Sequence, residues 1–249
     1  MTSYSANLGF LFTEFPLPQA IAEAHAAGFA AVELHWPYEV PAADVKTALD
    51  QTALPLISLN TRKGAHNGLC AQTELITEAR ASIDEAFAYG AIIGARAVHV
   101  MAGIASGAAA EACFIDNLIY ACDLAKNRQM MVMIEAINQQ DAPGYFLQDT
   151  DHVAQIINKV GRGELRMMFD CYHVVKSGGD ILAEFDRHQP LIGHVQFAGT
   201  PDRGAPDTGT SDYKALFAAL KKRGWTQPLG AEYKPRGATH DSLSWMRYL

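Results

Sequence analysis

Four side chains that carry an oxygen donor stand at the ends of four consecutive apolar segments. The segments cover residues 131–135, 165–170, 191–196 and 228–232, and they end in Glu135, Asp170, Gln196 and Glu232. Short apolar runs are typical of parallel strands buried on both faces, and one polar residue at such an end would indicate only a loop cap. Three carboxylates at one rim, however, repel one another unless a cation or a proton lies between them. Carboxylate and amide oxygens are hard ligands, so we predict that these four residues share one Mg²⁺ or Mn²⁺ ion.

The two glutamates of this set have the types and positions of an acid/base pair. A divalent ion that chelates two adjacent oxygens of a hydroxy-carbonyl compound lowers the cost of forming an ene-diolate. Glu135 and Glu232 end the first and the last of the four segments, so they can flank such a substrate and move a proton between neighbouring carbons. The pattern predicts aldose–ketose isomerisation or epimerisation beside a ketone. Hydrolysis fits less well, because no separate base that would activate water is visible.

Three histidines lie close to these segments. His173 follows Asp170 by three residues, so it either turns back toward the same site or bonds to the backbone of its loop. His99 and His194 lie inside apolar segments, and we interpret both as core residues. For His194 a second interpretation is open, in which it supports the metal ligands from behind.

Cationic side chains follow the last two segments. Arg203, Lys234 and Arg236 lie in the predicted loops there, where a positive charge can bind an anionic group of a substrate. For Arg236, simple solvation at the surface is the preferred interpretation.

The whole chain alternates between apolar segments and helical patterns, with a repeat of about 30 residues, the size of a βαβ unit. The predicted strands are residues 6–12, 29–34, 55–59, 97–101 and the four segments above. The predicted helices are residues 17–27, 42–51, 72–90, 109–126, 149–160, 180–188, 211–223 and 239–248. Eight units without an intervening linker predict one (β/α)8 barrel, a single domain over residues 1–249, whose active site lies at the carboxyl ends of the strands. A doubly wound sheet is less favoured, because no G-x-G-x-x-G turn follows the first strand.

Composition narrows the classes of partner. Hydrophobic residues make up 49% of the 249 residues and charged residues 19%, which is enough apolar material for one large core. The net charge of −7 argues against a nucleic-acid surface. The four cysteines have no C-x-x-C spacing, the N-terminus has no signal-peptide pattern and no apolar run is long enough to span a membrane. We therefore expect a cytoplasmic protein with a small-molecule substrate, and the sequence leaves its oligomeric state open, a homo-oligomer included.

Several segments together resemble the hydroxypyruvate isomerases, a family of xylose-isomerase-like barrels. They are HVMAG (99–103), IEAIN (134–138), MFDCYH (168–173), GHVQFAGTPDRGAPDTG (193–209) and EYKPRG (232–237). The resemblance covers nearly the whole chain. It implies a (β/α)8 fold and the interconversion of hydroxypyruvate and tartronate semialdehyde.

The resemblance also assigns residues. The catalytic glutamates of the family fall on Glu135 and Glu232, and its metal ligands fall on the same four residues that the pattern predicts. In the related ketose 3-epimerases, a histidine and an arginine that touch the substrate match His173 and Arg203. An acidic substrate contact of those enzymes falls on Asp141.

The sequence differs from these related enzymes at two places that bear on the identity of the substrate. The epimerases carry histidine where this chain has Gln196, which favours the isomerase branch. The loop of residues 60–68, which we expect to overhang the pocket, is shorter than in many hydroxypyruvate isomerases. Similar proteins act on 2-oxo-tetronates, which are one hydroxymethylene longer, and a shorter loop leaves room for that carbon.

Three other functions compete with the isomerase. A ketose 3-epimerase acting on neutral sugars is the main alternative, although it would give Arg203 and Lys234 no carboxylate to bind. A metal-dependent endonuclease of the same superfamily would need a histidine-rich metal cluster and a basic groove, which the charge of −7 opposes. A barrel that only binds its ligand would not exchange substrate C–H protons with solvent.

Overall fold

The strands of this protein form one parallel sheet. The computed structural model describes residues 2–249, and within them the sheet has eight strands in the order β2-β1-β8-β7-β6-β5-β4-β3. The strands are β1 (Tyr4–Asn7), β2 (Ala31–Glu33), β3 (Ser58–Asn60), β4 (Ala97–His99), β5 (Met131–Glu135), β6 (Leu165–Asp170), β7 (Ile192–Phe197) and β8 (Leu229–Ala231). Main-chain bonds from Ile57 to Val32 and from Leu34 to Ser58, both 2.9 Å long, join β2 to β3. The sheet therefore closes into a barrel.

The same residues form eight α-helices that follow the strands. They are α1 (Leu17–Ala26), α2 (Ala42–Thr52), α3 (Ile76–Ile93), α4 (Gly107–Arg128), α5 (Thr150–Val160), α6 (Cys171–Lys176), α7 (Ile181–His188) and α8 (Tyr213–Lys222). The apolar face of each helix packs against the outer surface of the barrel, as the repeat of the sequence predicts. The predicted (β/α)8 fold is confirmed. Among residues 2–249, none of the helices combines the length and the apolar character that a membrane crossing requires.

The interior of the barrel holds a small apolar cluster of its own. It consists of Ala31, Ile57, Ala97, Met133 and Met168, which are all buried. Side chains alternate between the two faces of a strand, so the residue two positions later on the same strand also points inward. This alternation places the polar residues at the carboxyl ends of the strands next to this apolar cluster.

Two predicted elements near the ends of the chain were wrong in extent or in kind. The run 6–12 is a strand only in its first part, because β1 ends at Asn7 and the amides of Phe10 and Leu11 turn back to the Asn7 carbonyl. Leu8, Leu11 and Phe12, which follow, are buried in a turn. Residues 239–248 form two short 3₁₀ turns, Thr239–Ser242 and Ser244–Arg247, in place of a helix.

The helix predicted over residues 72–90 begins later, at Ile76, because Gln72 is held in a preceding turn by its side-chain bond to the Gly68 carbonyl (2.8 Å). The sequence also did not predict α6. This short helix follows β6 at once, and the Asp170 carboxylate caps it by accepting from the Tyr172 amide at 2.8 Å.

Candidate active site

The register of the last four strands brings the predicted residues together. Asp170 lies opposite Gln196, and Gln196 lies opposite Gly230, two residues before Glu232. Glu135 is the last residue of β5, the neighbour of β6. Relative exposure is between 1% and 6% for the four predicted ligands, so each of them is buried at the carboxyl end of the barrel.

A cavity of about 420 Å³ opens at this end. Its wall includes most of the predicted site residues, namely Glu135, Asp141, His173, Arg203, Glu232 and Lys234. The loop of residues 60–68 contributes Asn60, Lys63 and Asn67, so the prediction that it borders the pocket is confirmed. Asp170 lines a second, separate cavity of about 230 Å³ on the other side of His173.

Arg203 joins two of the carboxylates. Its Nη2 atom lies 3.1 Å from Asp170 Oδ2 and 2.6 Å from Glu232 Oε2, and its guanidinium lies between the rings of Phe10 and Tyr172 at 5.1 and 5.0 Å. Burial by itself would lower the pKa of Arg203, but the surrounding carboxylates raise it above its usual range. The sequence analysis assigned the positive charge of Arg203 to a substrate anion. In the structure this charge is already paired with Asp170 and Glu232.

Glu232 is surrounded by hydrogen-bond donors. Besides Arg203, Nε2 of His35 lies 2.9 Å and Nδ2 of Asn7 lies 3.0 Å from its Oε1 atom. Burial would raise the pKa of Glu232, but Arg203 and His35 outweigh it and lower the pKa to about 2. The structure therefore holds this carboxylate in its charged form.

Glu135 has the opposite surroundings. Its Oε1 atom is buried and has no hydrogen-bond partner within residues 2–249, and Nε2 of His173 lies 3.7 Å away. On the other side, Nδ1 of His99 lies 3.9 Å from Oε2. Burial, and after it the charges of Glu232 and Asp170, raise the pKa of Glu135 well above its usual range. Two carboxyl groups of one cavity thus have pKa values that are driven apart, as in many acid/base pairs.

The arrangement fits a divalent cation. One ligand atom each of Glu135, Asp170 and His173 lies within 4.8 Å of the other two. Buried polar atoms almost always have a partner, yet Oε1 of Gln196 and Oε1 of Glu135 lack one in the described part of the chain. Burial raises the pKa of Asp170 to about 7 although Arg203 opposes the shift. A cation shared by these oxygens would relieve both the missing bonds and the crowded charge.

A buried glutamate that the sequence analysis did not select fixes the amide of Gln196. Oε2 of Glu33 accepts from Gln196 Nε2 at 2.8 Å, and its Oε1 accepts from Ser5 Oγ at 2.6 Å and lies 3.0 Å from His194 Nε2. Since the amide nitrogen is held by Glu33, the amide oxygen must face the other way. A Cβ on Gly230 would lie only 2.5 Å from Glu33 Oε1, so only glycine leaves room for this network.

His173 is oriented by its neighbours. The main-chain amide of Asn138, at 3.3 Å, and its side-chain nitrogen, at 2.7 Å, both face Nδ1, and Asp141 in turn accepts from Asn138 Nδ2 at 3.0 Å. Burial, and next the charge of Arg203, lower the pKa of His173 to about 3, so the ring is neutral. Nε2 faces a donor as well, because Arg203 Nη1 lies 3.2 Å away and a guanidinium cannot accept a hydrogen bond. Both ring nitrogens therefore face N–H donors, and Asn138 and Arg203 hold the ring in place from its two sides.

Two lysines at the rim of the cavity have free charges. Lys63 and Lys234 are exposed, and neither forms an ion pair with any of the described residues. Lys63 Nζ lies 5.6 Å from the Trp36 ring and Lys234 Nζ lies 5.8 Å from the Phe10 ring. Arg236, in contrast, is exposed and pairs with Asp202 at 2.5 Å, which agrees with a surface role.

Sequence reasoning missed several residues of this site, and three of them have ionisable side chains that bear on its chemistry. They are Glu33, His35 and Lys63. A signal was present for Glu33, because β2 also ends in a carboxylate after an apolar run. His35 and Lys63 lie in loops, where no periodicity reports which way a side chain points.

The chain matches proteins of known or suspected activity over nearly its full length. Residues 21–249 match a family model described as xylose isomerase-like TIM barrel. A 2-oxo-tetronate isomerase of Cupriavidus necator is 36% identical, with 99% of this chain and 98% of that protein covered. A putative hydroxypyruvate isomerase of Xenopus laevis is 37% identical, with 99% and 95% covered. A crystal structure described as an AP endonuclease, family 2, from Brucella melitensis is 31% identical and superposes with a TM-score of 0.95, with 99% and 98% covered.

Proposed function

Because the chain belongs to the xylose isomerase-like TIM barrel family and is an isomerase, we propose that it interconverts the 2-oxo-3-hydroxy and 2-hydroxy-3-oxo isomers of a small hydroxy-keto acid. The substrate is hydroxypyruvate or a 2-oxo-tetronate, as the names of the relatives suggest. The observation that carries the proposal is the pairing of Glu135 and Glu232 in the wall of one cavity, with opposite electrostatic surroundings. Four free, buried cysteines support a cytoplasmic location.

The residues present fit a metal cofactor. Glu135, Asp170, Gln196 and Glu232 would hold a divalent ion, Mg²⁺ or Mn²⁺, and such an ion supplies the Lewis acidity that stabilises negative charge on two adjacent substrate oxygens. The buried, unsatisfied oxygens of Glu135 and Gln196 support this assignment.

The proton transfers fall to side chains of the cavity. Glu232, which three donors keep ionised, removes a proton from C3 of the substrate, and Glu135 delivers a proton to C2 from the other side. The hydroxyl proton moves from O3 to O2, so the reaction needs no oxidant or reductant. His173 lines the same cavity and contacts the substrate. Arg203 keeps the Glu232 carboxylate in position.

The free lysines indicate which end of the substrate faces solvent. Since Arg203 is paired with Asp170 and Glu232, Lys63 and Lys234 are the cations of the cavity wall that remain available to an anion. A carboxylate bound there leaves the hydroxy-carbonyl end pointing toward Glu135 and Glu232. A neutral ketose has no group that would make this contact, which favours the keto acid over the epimerase alternative.

Replacing Lys63 or Lys234 by Met should raise KM for an anionic substrate about tenfold, since a hydrogen bond to a charged group contributes about 1.5 kcal/mol or more. The methionine side chain keeps most of the apolar stem, and kcat should change little. Steady-state kinetics with hydroxypyruvate and with a neutral ketose measure the effect. Lys214→Met, at an exposed site on α8, is the matched control. An equal change of KM for both substrates would contradict the proposed contact between these lysines and the substrate carboxylate.

A side-by-side assay of hydroxypyruvate, a 2-oxo-tetronate and common ketoses, in buffer containing Mg²⁺ or Mn²⁺, tests the proposed activity. In D₂O we expect close to one deuterium at C2 of the product per turnover, because the proton returned by Glu135 has exchanged with solvent. Mass spectrometry or proton NMR of the product measures it. Product formed without deuterium would indicate a hydride shift and contradict the two-carboxylate mechanism. Faster turnover of neutral ketoses would favour the epimerase.

The endonuclease description of the Brucella melitensis structure is not the activity we propose for this chain. A nuclease needs a basic surface along the phosphate backbone. This chain has a net charge of −7, and its cavity is walled by Glu135, Asp141, Asp202 and Glu232.

A further inference from the structure

A second cluster of possible metal ligands lies outside the barrel, between α5 and α7. One ligand atom each of Asp151, Glu184 and His188 lies within 4.8 Å of the other two. Nε2 of His188 is 3.0 Å from Asp151 Oδ1 and 3.6 Å from Glu184 Oε2. Two ligands of a tetrahedral zinc ion, with bonds of 2.0–2.1 Å, lie about 3.3 Å apart. The two distances bracket that value.

The histidine of this cluster has an unsatisfied nitrogen. The His188 side chain is only 6% exposed, and its Nε2 atom has no hydrogen-bond partner among residues 2–249. Asp151 Oδ1 is close enough to His188 Nε2 for a hydrogen bond. It does not accept one, because it lies off the direction of the N–H bond. An acceptor must lie nearly along the N–H bond. When two side chains bind the same ion, the lone pair of each points at the ion and not at the other side chain. The arrangement of Asp151 and His188 is of this kind.

The other carboxylate contacts are those expected around a bound ion. Arg187 Nη1 lies 2.9 Å from Asp151 Oδ2 and 3.5 Å from Glu184 Oε1, while Thr150 Oγ1 donates to Glu184 Oε2 at 2.6 Å. Outer partners of this kind fix ligating carboxylates in metal sites. With Arg187 counted, the two carboxylates still leave one negative charge for a cation. The Asp151 side chain is 53% exposed, so solvent reaches the cluster.

We propose that Asp151, Glu184 and His188 bind one zinc ion, with water as the fourth ligand. One imidazole with two carboxylates suits Zn²⁺ better than Mg²⁺ or Ca²⁺, which prefer oxygen alone. The ion joins the first turn of α5 to Glu184 and His188 of α7 and lies apart from Glu135 and Glu232. Its role is structural, since it fixes the position of α7. This helix directly follows α6, which carries His173.

Zinc binding by the intact protein tests this site. The purified chain is titrated with ZnCl₂ by calorimetry, and bound zinc is counted by mass spectrometry of the metal after dialysis. We expect His188→Gln to bind one equivalent less than the wild type, or to bind that equivalent at least tenfold more weakly. Zinc should raise the Tm of the wild type more than that of the variant. The matched control is His25→Gln, at an exposed histidine of α1, which should bind zinc like the wild type.

Asp151→Asn provides a second variant in case His188→Gln does not fold, because its side chain is half exposed and its loss leaves no buried gap. It should show the same loss of one equivalent. Crystals grown with ZnCl₂ should give an anomalous peak between α5 and α7. Unchanged zinc stoichiometry and affinity in the folded variants, or wild-type crystals without that peak, would show that the cluster is an ordinary ion-pair network.

Discussion

Glu232→Gln should lower kcat/KM by about 10³-fold while the protein stays folded, since general acid–base groups contribute 10²–10⁴-fold. The amide cannot remove a proton from carbon, and it also cannot accept from His35, Asn7 and Arg203 together as the carboxylate does. Glu135→Gln should cause a loss of similar size, because the proton that it returns has no other donor in the proposed path. Steady-state kinetics, with circular dichroism to check folding, measure both effects.

The control for these variants is Glu78→Gln, at an exposed position in the first turn of α3. It makes the same chemical change away from the cavity and should leave kcat/KM unaltered. The exchange of substrate C–H protons with D₂O separates the roles further. We expect Glu232→Gln to abolish exchange, because in the proposed mechanism that residue removes the proton. Near-normal activity in either site variant would contradict the two-carboxylate mechanism.

The convergence of the site could be predicted because it follows from strand periodicity. Glu135, Asp170 and Gln196 each lie two residues after an inward-pointing side chain, and parallel strands bring all such ends to one rim. The same rule applies to Glu33 at the end of β2, so its omission was a failure to apply a signal that was present. The side-chain contacts of the loops carry no comparable signal. The pairing of Arg203 with two carboxylates depends on the path of a long loop that no local pattern encodes.

The errors in the fold have a related cause. An apolar run such as residues 6–12 indicates burial, but burial can be reached by a strand or by a turn. In this protein only Tyr4–Asn7 has partners on both neighbouring strands, and the rest packs under residues 239–248. That last segment was predicted as a helix. Its carboxylate contacts, such as Glu14 with the Thr239 amide at 2.8 Å, hold it in short turns.

Glu33→Gln should weaken the binding of Mn²⁺ at the proposed metal site 10- to 100-fold, the usual effect of removing an outer partner of a metal ligand. In the wild type, Glu33 can only accept, so it takes the N–H of Gln196 and leaves the amide oxygen for the cation. A glutamine at position 33 can present its own NH₂ to residue 196, which turns the Gln196 amide over and points a donor at the metal. Calorimetric titration with MnCl₂ measures the affinity without any use of activity.

The exchange of the two side chains tests this explanation directly. In the double variant Glu33→Gln with Gln196→Glu, residue 33 donates and residue 196 accepts. A carboxylate at position 196 presents an oxygen to the cation in either orientation, so Mn²⁺ affinity should return to within a few fold of the wild type. The total charge of the pair is unchanged, and Gly230 still leaves the space that the two side chains need. Ser5→Ala, which removes only the hydroxyl donor to Glu33, should have a small effect. If the double variant binds Mn²⁺ as weakly as Glu33→Gln alone, Glu33 acts through its charge and not by orienting the amide.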